Sequence, residues 1–322
     1  MSRLVPLSAP GTRGPVAKVS ELIASGVPPG RLYARDVSRP FRGLVCAPGL
    51  DPGDFEVRNA ALRRLMRPGR FLSRRTAAMA LGVPLLGASS PGAQSPGARS
   101  PGTAPPAEVG AIRPAKPPQR NGLAGHQVRR EVLERVPDEA SGWLPTPADI
   151  WGLLAPVSTV TGLVVAGDAI VSGPSRSTAA LCTVADLARA MERFSGGTGA
   201  ARLREALPLI RTGVESPAES QVRCLVVADG LPEPQTCCPV PVAGRILHAD
   251  MGYPELRIAI EHQGAYHFTE GLERARRDNE RFEAMKDAGW RVLLSTAHDL
   301  RDPRRFLARL RRAIAEALAG LP

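Results

Sequence analysis

Residues 236–263 read TCCPVPVAGRILHADMGYPELRIAIEHQ, and the fold of the last third of the chain turns on them. Three strand-like runs stand here, TCCPVPV (236–242), GRILHAD (244–250) and LRIAIEHQ (256–263). In LRIAIEHQ the apolar residues alternate, so Ile258 and Ile260 share one face while Glu261 and Gln263 share the other. The run before it ends in Asp250. A connection that turns at Pro254–Arg257 sets residues 250 and 261 directly opposite, about 5 Å apart between Cα atoms. A turn centred on Gly252 instead separates them by several residues.

Outward from this stretch, Ser216-Pro217-Ala218-Glu219 opens a helix as a capping box, and Gly230 ends it. After the strands come a charged helix at about 270–288, the strand WRVLLS (290–295) and a last helix at about 303–318. The order is αβββαβα, an α/β class. Upstream, apolar residues recur at helical spacing in Pro147–Leu154, Val157–Val171, Thr183–Phe194 and Gly199–Ile210. Short strands are expected between Val109 and Arg130. Asp168 is a carboxylate in the apolar run LVVAGDAIV, read as structural and partnered.

The N-terminal region is expected to be mostly α. VAKVSELIASG (16–26) forms a short helix, prolines make a turn, GRLYARDV starts a second helix and FRGLVC (41–46) a strand. Helix, turn, helix, strand is the order of a winged helix-turn-helix, whose second helix enters a major groove; Arg31 and Arg35 are its candidate nucleic-acid contacts. A helix follows at about 56–66, and Ser73 is the expected N-cap for RRTAAMALG. Segment 87–106, with three S-P-G units, is a linker that cannot bury apolar surface. The expected division is therefore 1–86 (basic module), 87–106 (linker), 107–212 (mixed, mostly helical) and 213–322.

Charge separates these parts. The chain carries +11, with only three of its 42 basic side chains being lysine. Residues 1–86 hold 14 basic against 5 acidic side chains, 87–254 hold 15 of each, and 255–322 hold 13 against 11. A basic module on near-neutral remaining parts points to a polyanion, double-stranded DNA before a membrane surface. No run of 18 apolar residues marks a membrane span, and the five scattered cysteines fit reduced thiols in a cytoplasm.

Opposed carboxylates suit a hard divalent cation, Mg²⁺ or Mn²⁺, held with water and substrate phosphate. The same two acids could instead be solvent-facing strand ends. The pattern resembles the PD-(D/E)XK nuclease superfamily, whose core is αβββαβ and whose Asp and E-x-K hold the metal and activate water. Here Asp250 and Glu261-His262-Gln263 stand in those places, with glutamine for lysine. The resemblance gives Glu219 a supporting metal role, beside its role in the capping box. ESPAESQVRCLVVADGLPEP, DMGYPELRIAIEHQGAYH, ERARRDNERFEAMKDAGWRVLL and Asp299–Pro303 are similar, in order, to actinobacterial proteins whose C-terminal domain is related to very-short-patch repair endonucleases. That likeness places His267 near the attacking water, as base or phosphate contact, unless it packs beside Tyr266. The zinc cluster of the repair enzymes is absent from EHQGAYHF, so mismatch specificity does not carry over. Gln263 either orients the water or hydrogen-bonds on its strand face. Arg276, Arg277 and Arg281 either hold the DNA backbone or pair with Glu273, Asp278 and Glu280, and Asp278 with Arg281 reads as a helical pair. SELIASGVPPGRL, PFRGLV, FLSRRTAAMALG and LVVAGDAI further resemble AbiEi-type antitoxins, which implies a toxin partner. Two functions follow: a metal-dependent DNA endonuclease, or a DNA-binding regulator or antitoxin-like protein on an inactive nuclease fold.

Overall fold

A computed structural model describes residues 14–86, 105–175, 177–264 and 271–320. The architecture is mixed α/β, with three small sheets. It divides into two compact units, Met1–Val157 with Leu187–Ala200, and Ser158–Asp186 with Ala201–Pro322. The region 107–212 is shared between them rather than forming a body of its own.

In the first unit, β1 (Val16–Lys18) pairs antiparallel with β2 (Leu44–Cys46), and α1 (Val19–Ala24) follows β1 directly. The expected second helix is only a five-residue 3₁₀ turn, Pro29–Tyr33. Two prolines enter it, and Arg31 is forked onto Asp36 at 2.8 and 2.7 Å just beyond its end. No helix for a major groove is built there. Next come α2 (Phe55–Leu65), capped by Asp54, then β3 (Arg70–Leu72) and α3 (Arg74–Ala80). β4 (Ala107–Ile112) lies between β3, antiparallel, and β5 (Leu123–Val128), parallel. This three-stranded sheet makes the N-terminal part less helical than its sequence suggests. Ser73 does stand at the N-cap of α3, but its hydroxyl bonds the His126 ring at 3.1 Å instead. The Arg75 N–H is taken by the Glu108 carboxylate at 2.9 Å. In α4 (Pro147–Leu154), Thr146 caps and Pro147 occupies the first turn, as helix-start chemistry dictates.

The second unit carries α5 (Val160–Ser172), then α6 (Val184–Arg193), most of which belongs with the first unit, and α7 (Ala200–Ala206). The αβββαβα succession follows: α8 (Pro217–Ala228), β6 (Gln235–Val242), β7 (Arg245–Tyr253), β8 (Ile258–Gln263), α9 (Gly271–Asp287), β9 (Arg291–Thr296) and α10 (Arg304–Ala319). The sheet order is β6-β7-β8-β9, antiparallel except for β8 and β9. Pro239 and Pro241 are tolerated because β6 is an edge strand. Ala243 and Gly244, both at positive φ, make the tight β6–β7 hairpin.

β8 is buried on both faces. On one, Ile258 and Ile260 meet Val222, Val226, Phe306 and Leu310 of α8 and α10. On the other, Ala259 packs in the group of Cys238, Val240, Met285 and Trp290, next to α9. Alternation therefore sends the side chain of residue 261 towards α9. Among the described residues no helix is long and apolar enough to cross a membrane.

Candidate metal centre

The connection from β7 to β8 is a 3₁₀ turn, Pro254–Leu256, closed by Arg257 in the left-handed region. It sets the register Met251↔Ile260, Gly252↔Ala259, Tyr253↔Ile258. Continued by one pair, the same register brings Asp250 opposite Glu261. The Asp250 carboxylate reaches across to β8 and accepts the backbone N–H of His262 at 2.7 Å.

The charge of Asp250 acts on two other buried carboxyls, Glu261 and Glu219. Burial pushes Glu261 up to about 8, and the negative charge of Asp250 adds to it. Burial pushes Glu219 of α8 up to about 7, again with Asp250 adding. Asp250 itself is raised by burial, against the pull of the His262 N–H and of Arg281. Glu219 is 7 % exposed and Glu261 3 %.

Glu219 divides its duties. Its N–H donates to the Ser216 hydroxyl at 3.2 Å, while its carboxylate takes the Glu215 N–H at 2.9 Å, one residue ahead of the helix cap. One half of the expected capping box forms, and the other half is displaced by a residue.

For Arg281 of α9 the sequence offered a DNA contact or a helical pair and missed its partner at the site. Instead of pairing with Asp278, its guanidinium forms an ion pair with Glu261 and donates to the His248 carbonyl at 2.8 Å. The signal was present: Arg281 is four residues before buried Met285 and adjacent to buried Phe282, so it flanks the inward stripe of its helix. Only one oxygen of Glu261 is taken, and the other, Oε1, is buried without a partner.

Among the described residues no group of three or more His, Cys, Asp and Glu side chains is placed to hold one metal. The chemistry of the donors still fits a hard cation, since Mg²⁺ is commonly held by one or two carboxylates plus water and phosphate. Asp250 and Glu261, with its orphaned oxygen, are two carboxylates of that chemistry.

The remaining candidates fall apart spatially or by contact. Gln263 ends β8 opposite Thr296, half-buried. His262 bonds Ser295 on β9 at 2.8 Å. His267 lies outside the described residues, as does most of the 87–106 linker. Arg276 pairs with Glu280 at 3.3 Å on the exposed side of α9, where Arg277 is also exposed. Arg35 is exposed, whereas the Arg31 side chain is 8 % exposed and committed to Asp36, which removes it as a nucleic-acid contact. Asp168 has the partners the sequence did not reveal: Arg223 at 2.6 Å, Ser220 at 2.7 Å and the Arg211 N–H at 2.8 Å.

No protein-family profile matches the chain. It is 28 % identical over 142 residues to two uncharacterized proteins of Mycobacterium tuberculosis, Rv2248 and MT2308, covering 43 % of this chain. The chain spans 52 % of the length of those curated relatives. A solved structure, the Rv2827c protein of Mycobacterium tuberculosis, is 17 % identical with a TM-score of 0.35, covering 70 % of this chain and 80 % of that one.

Proposed function

We propose that this protein is a metal-dependent DNA endonuclease whose second unit is a PD-(D/E)XK-type, restriction-endonuclease-like domain. The observation that carries the reading is the pair Asp250 and Glu261, which directly follow the last β7–β8 pair, Met251↔Ile260, with a buried Glu261 oxygen left unpartnered. Asp250 and Glu261 would hold Mg²⁺ or Mn²⁺, with Glu219 as a nearby third acid. A cation bound there supplies charge stabilisation at the scissile phosphate and a more acidic water. The chain's own part is to orient: Gln263 at the end of β8 would direct the attacking water, and His267, outside the described residues, is the candidate to take its proton. Arg276 and Arg277 present positive charge to the DNA backbone from α9. The five free cysteines suit work in the reducing cytoplasm.

The test is plasmid cleavage by purified protein with Mg²⁺ or Mn²⁺, beside Asp250→Ala and Glu261→Ala. Cleavage by the wild type that both substitutions abolish supports the reading. Equal cleavage in all three is contamination and ends it.

One observation favours a second reading, a DNA-binding regulator or antitoxin-like protein with a silent nuclease fold and a toxin partner. Arg281 already neutralises Glu261, and Gln263 stands where the pattern has lysine. DNA binding that survives loss of both acids, without cleavage by the wild type, selects this alternative.

A further inference from the structure

The first unit has a basic strip, most of which lies outside the 16–46 segment that a helix-turn-helix would use. Between Val57 and Arg130 the sequence has 13 basic side chains and a single acid, Glu108. That acid is buried and engaged, accepting the Arg75 N–H and lying 3.8 Å from Arg74. No exposed carboxylate within this stretch offsets its charge.

The topology gathers part of this charge into a line. The turn ahead of β3 abuts the end of β4: the Ile112 N–H donates to the Gly69 carbonyl at 2.8 Å, and Arg70 Nε donates to the Lys116 carbonyl at 2.9 Å. Arg67, Arg70, Arg113 and Lys116 therefore stand on two adjoining turns. Because β5 runs parallel to β4, the connection between them must travel back the length of a six-residue strand, about 20 Å. Pro117 pins it to the sheet: a Cβ on Gly125 would lie 2.5 Å from Pro117. At the far end Arg120 donates to the Arg42 carbonyl, which brings Arg42 to the strip. Arg42, Arg67, Arg113, Lys116 and Arg120 are exposed, and Arg70 is half-buried.

We infer that this connection, with the 67–70 turn and Arg42, is the surface by which the first unit grips the phosphate backbone of double-stranded DNA. The inference rests on the reading of the protein as one that acts on DNA, and it adds where the duplex is held. Charge complementarity selects a polyanion. The strip offers no exposed aromatic ring, as stacking on single-stranded bases would require. It has no apolar wedge for a lipid surface either, since the exposed large hydrophobic residues among those described, such as Ile23, Tyr33 and Val136, lie off it. Arg and Lys without base-reading partners position a duplex with little sequence preference.

The experiment uses the full chain and a 30-base-pair duplex followed by fluorescence anisotropy across a salt series. Arg67→Ala/Arg113→Ala/Lys116→Ala removes three cations, so the slope of log affinity against log salt becomes shallower by about 3. Affinity at low salt falls at least tenfold. The Lys-substituted version of the two arginines keeps most of the binding, which separates charge loss from misfolding. Arg31→Ala, whose guanidinium is held by Asp36, binds like the wild type. A triple variant with wild-type affinity and slope overturns the inference, as does equal affinity for phosphatidylglycerol vesicles. Asp250→Asn separates the two readings: if it binds duplex through the strip and neither it nor the wild type cleaves, the nuclease reading fails while the strip stands.

Discussion

Replacing Glu261 by glutamine should stabilise the metal-free protein above neutral pH. The carboxyl is buried at 3 % exposure, and burial, with Asp250 adding, carries it from 4.5 to about 8. Between those values the folded chain holds a proton that the unfolded chain has released. Stability must therefore fall as pH rises through that window. A displacement of this size corresponds to about 5 kcal/mol as a ceiling. Asp250 and Arg281 readjust when the charge is removed, so about half of that, or roughly 2–3 kcal/mol, is the expected gain. For a unit of this size the gain raises its melting point by about 4–10 °C. Thermal denaturation in EDTA from pH 5 to 9 measures it. The two proteins should melt together at pH 5, where wild-type Glu261 is protonated and glutamine is its isostere, and diverge by pH 8.5 with the variant higher. Manganese should then close the gap by raising the wild type alone. If the variant melts below the wild type at pH 8.5 in EDTA, the Arg281 pair outweighs the cost of burial and Glu261 is an anchor rather than a cation ligand.

Asp168→Ala should cost the second unit about 3–5 kcal/mol in urea denaturation, because Arg223, 1 % exposed, loses its buried counter-charge; a loss under about 1 kcal/mol would mean that Glu233 at 2.9 Å suffices alone. Gly110→Ala should destabilise the first unit by about 1–3 kcal/mol, since a Cβ there lies 2.2 Å from the Phe71 ring. Phe71→Leu in the same chain should recover part of it, and no recovery would locate the strain elsewhere.

Local patterns carried the second unit well. Alternation in LRIAIEHQ, paired prolines in an edge strand and a proline-led turn at 254 are all near-neighbour signals, and the register that opposes 250 to 261 follows from them. The positions of Arg281 and Arg223 do not follow, because each side chain finds its acid on another element, 20 and 55 residues away. The first unit was harder for the same reason. Its β3-β4-β5 sheet joins strands across the 87–106 segment, and RFL or AEVGAI alone gives little period to read. GRLYARDV has helical composition, yet two prolines ahead of it and the Arg31–Asp36 fork limit it to one turn.

The charge balance of the site makes the two functional readings physically close. Burial opposes ionisation of Asp250, Glu219 and Glu261, the charge of Asp250 adds to it at both glutamates, and Arg281 pairs with one oxygen of Glu261. A purely structural ion pair has no need of the other two acids, whose burial costs stability. A divalent ion would favour their ionised forms better than a second guanidinium, because it binds two carboxylates at once and leaves its remaining positions to phosphate and water. Arg281, 31 % exposed and reaching Glu261 from the neighbouring helix, holds the other oxygen, Oε2, through a partly solvated pair, so Oε1 is the oxygen open to a cation. Cation binding at Oε1 beside an intact Arg281 pair, rather than the glutamine at 263, is therefore what separates the two proposed readings.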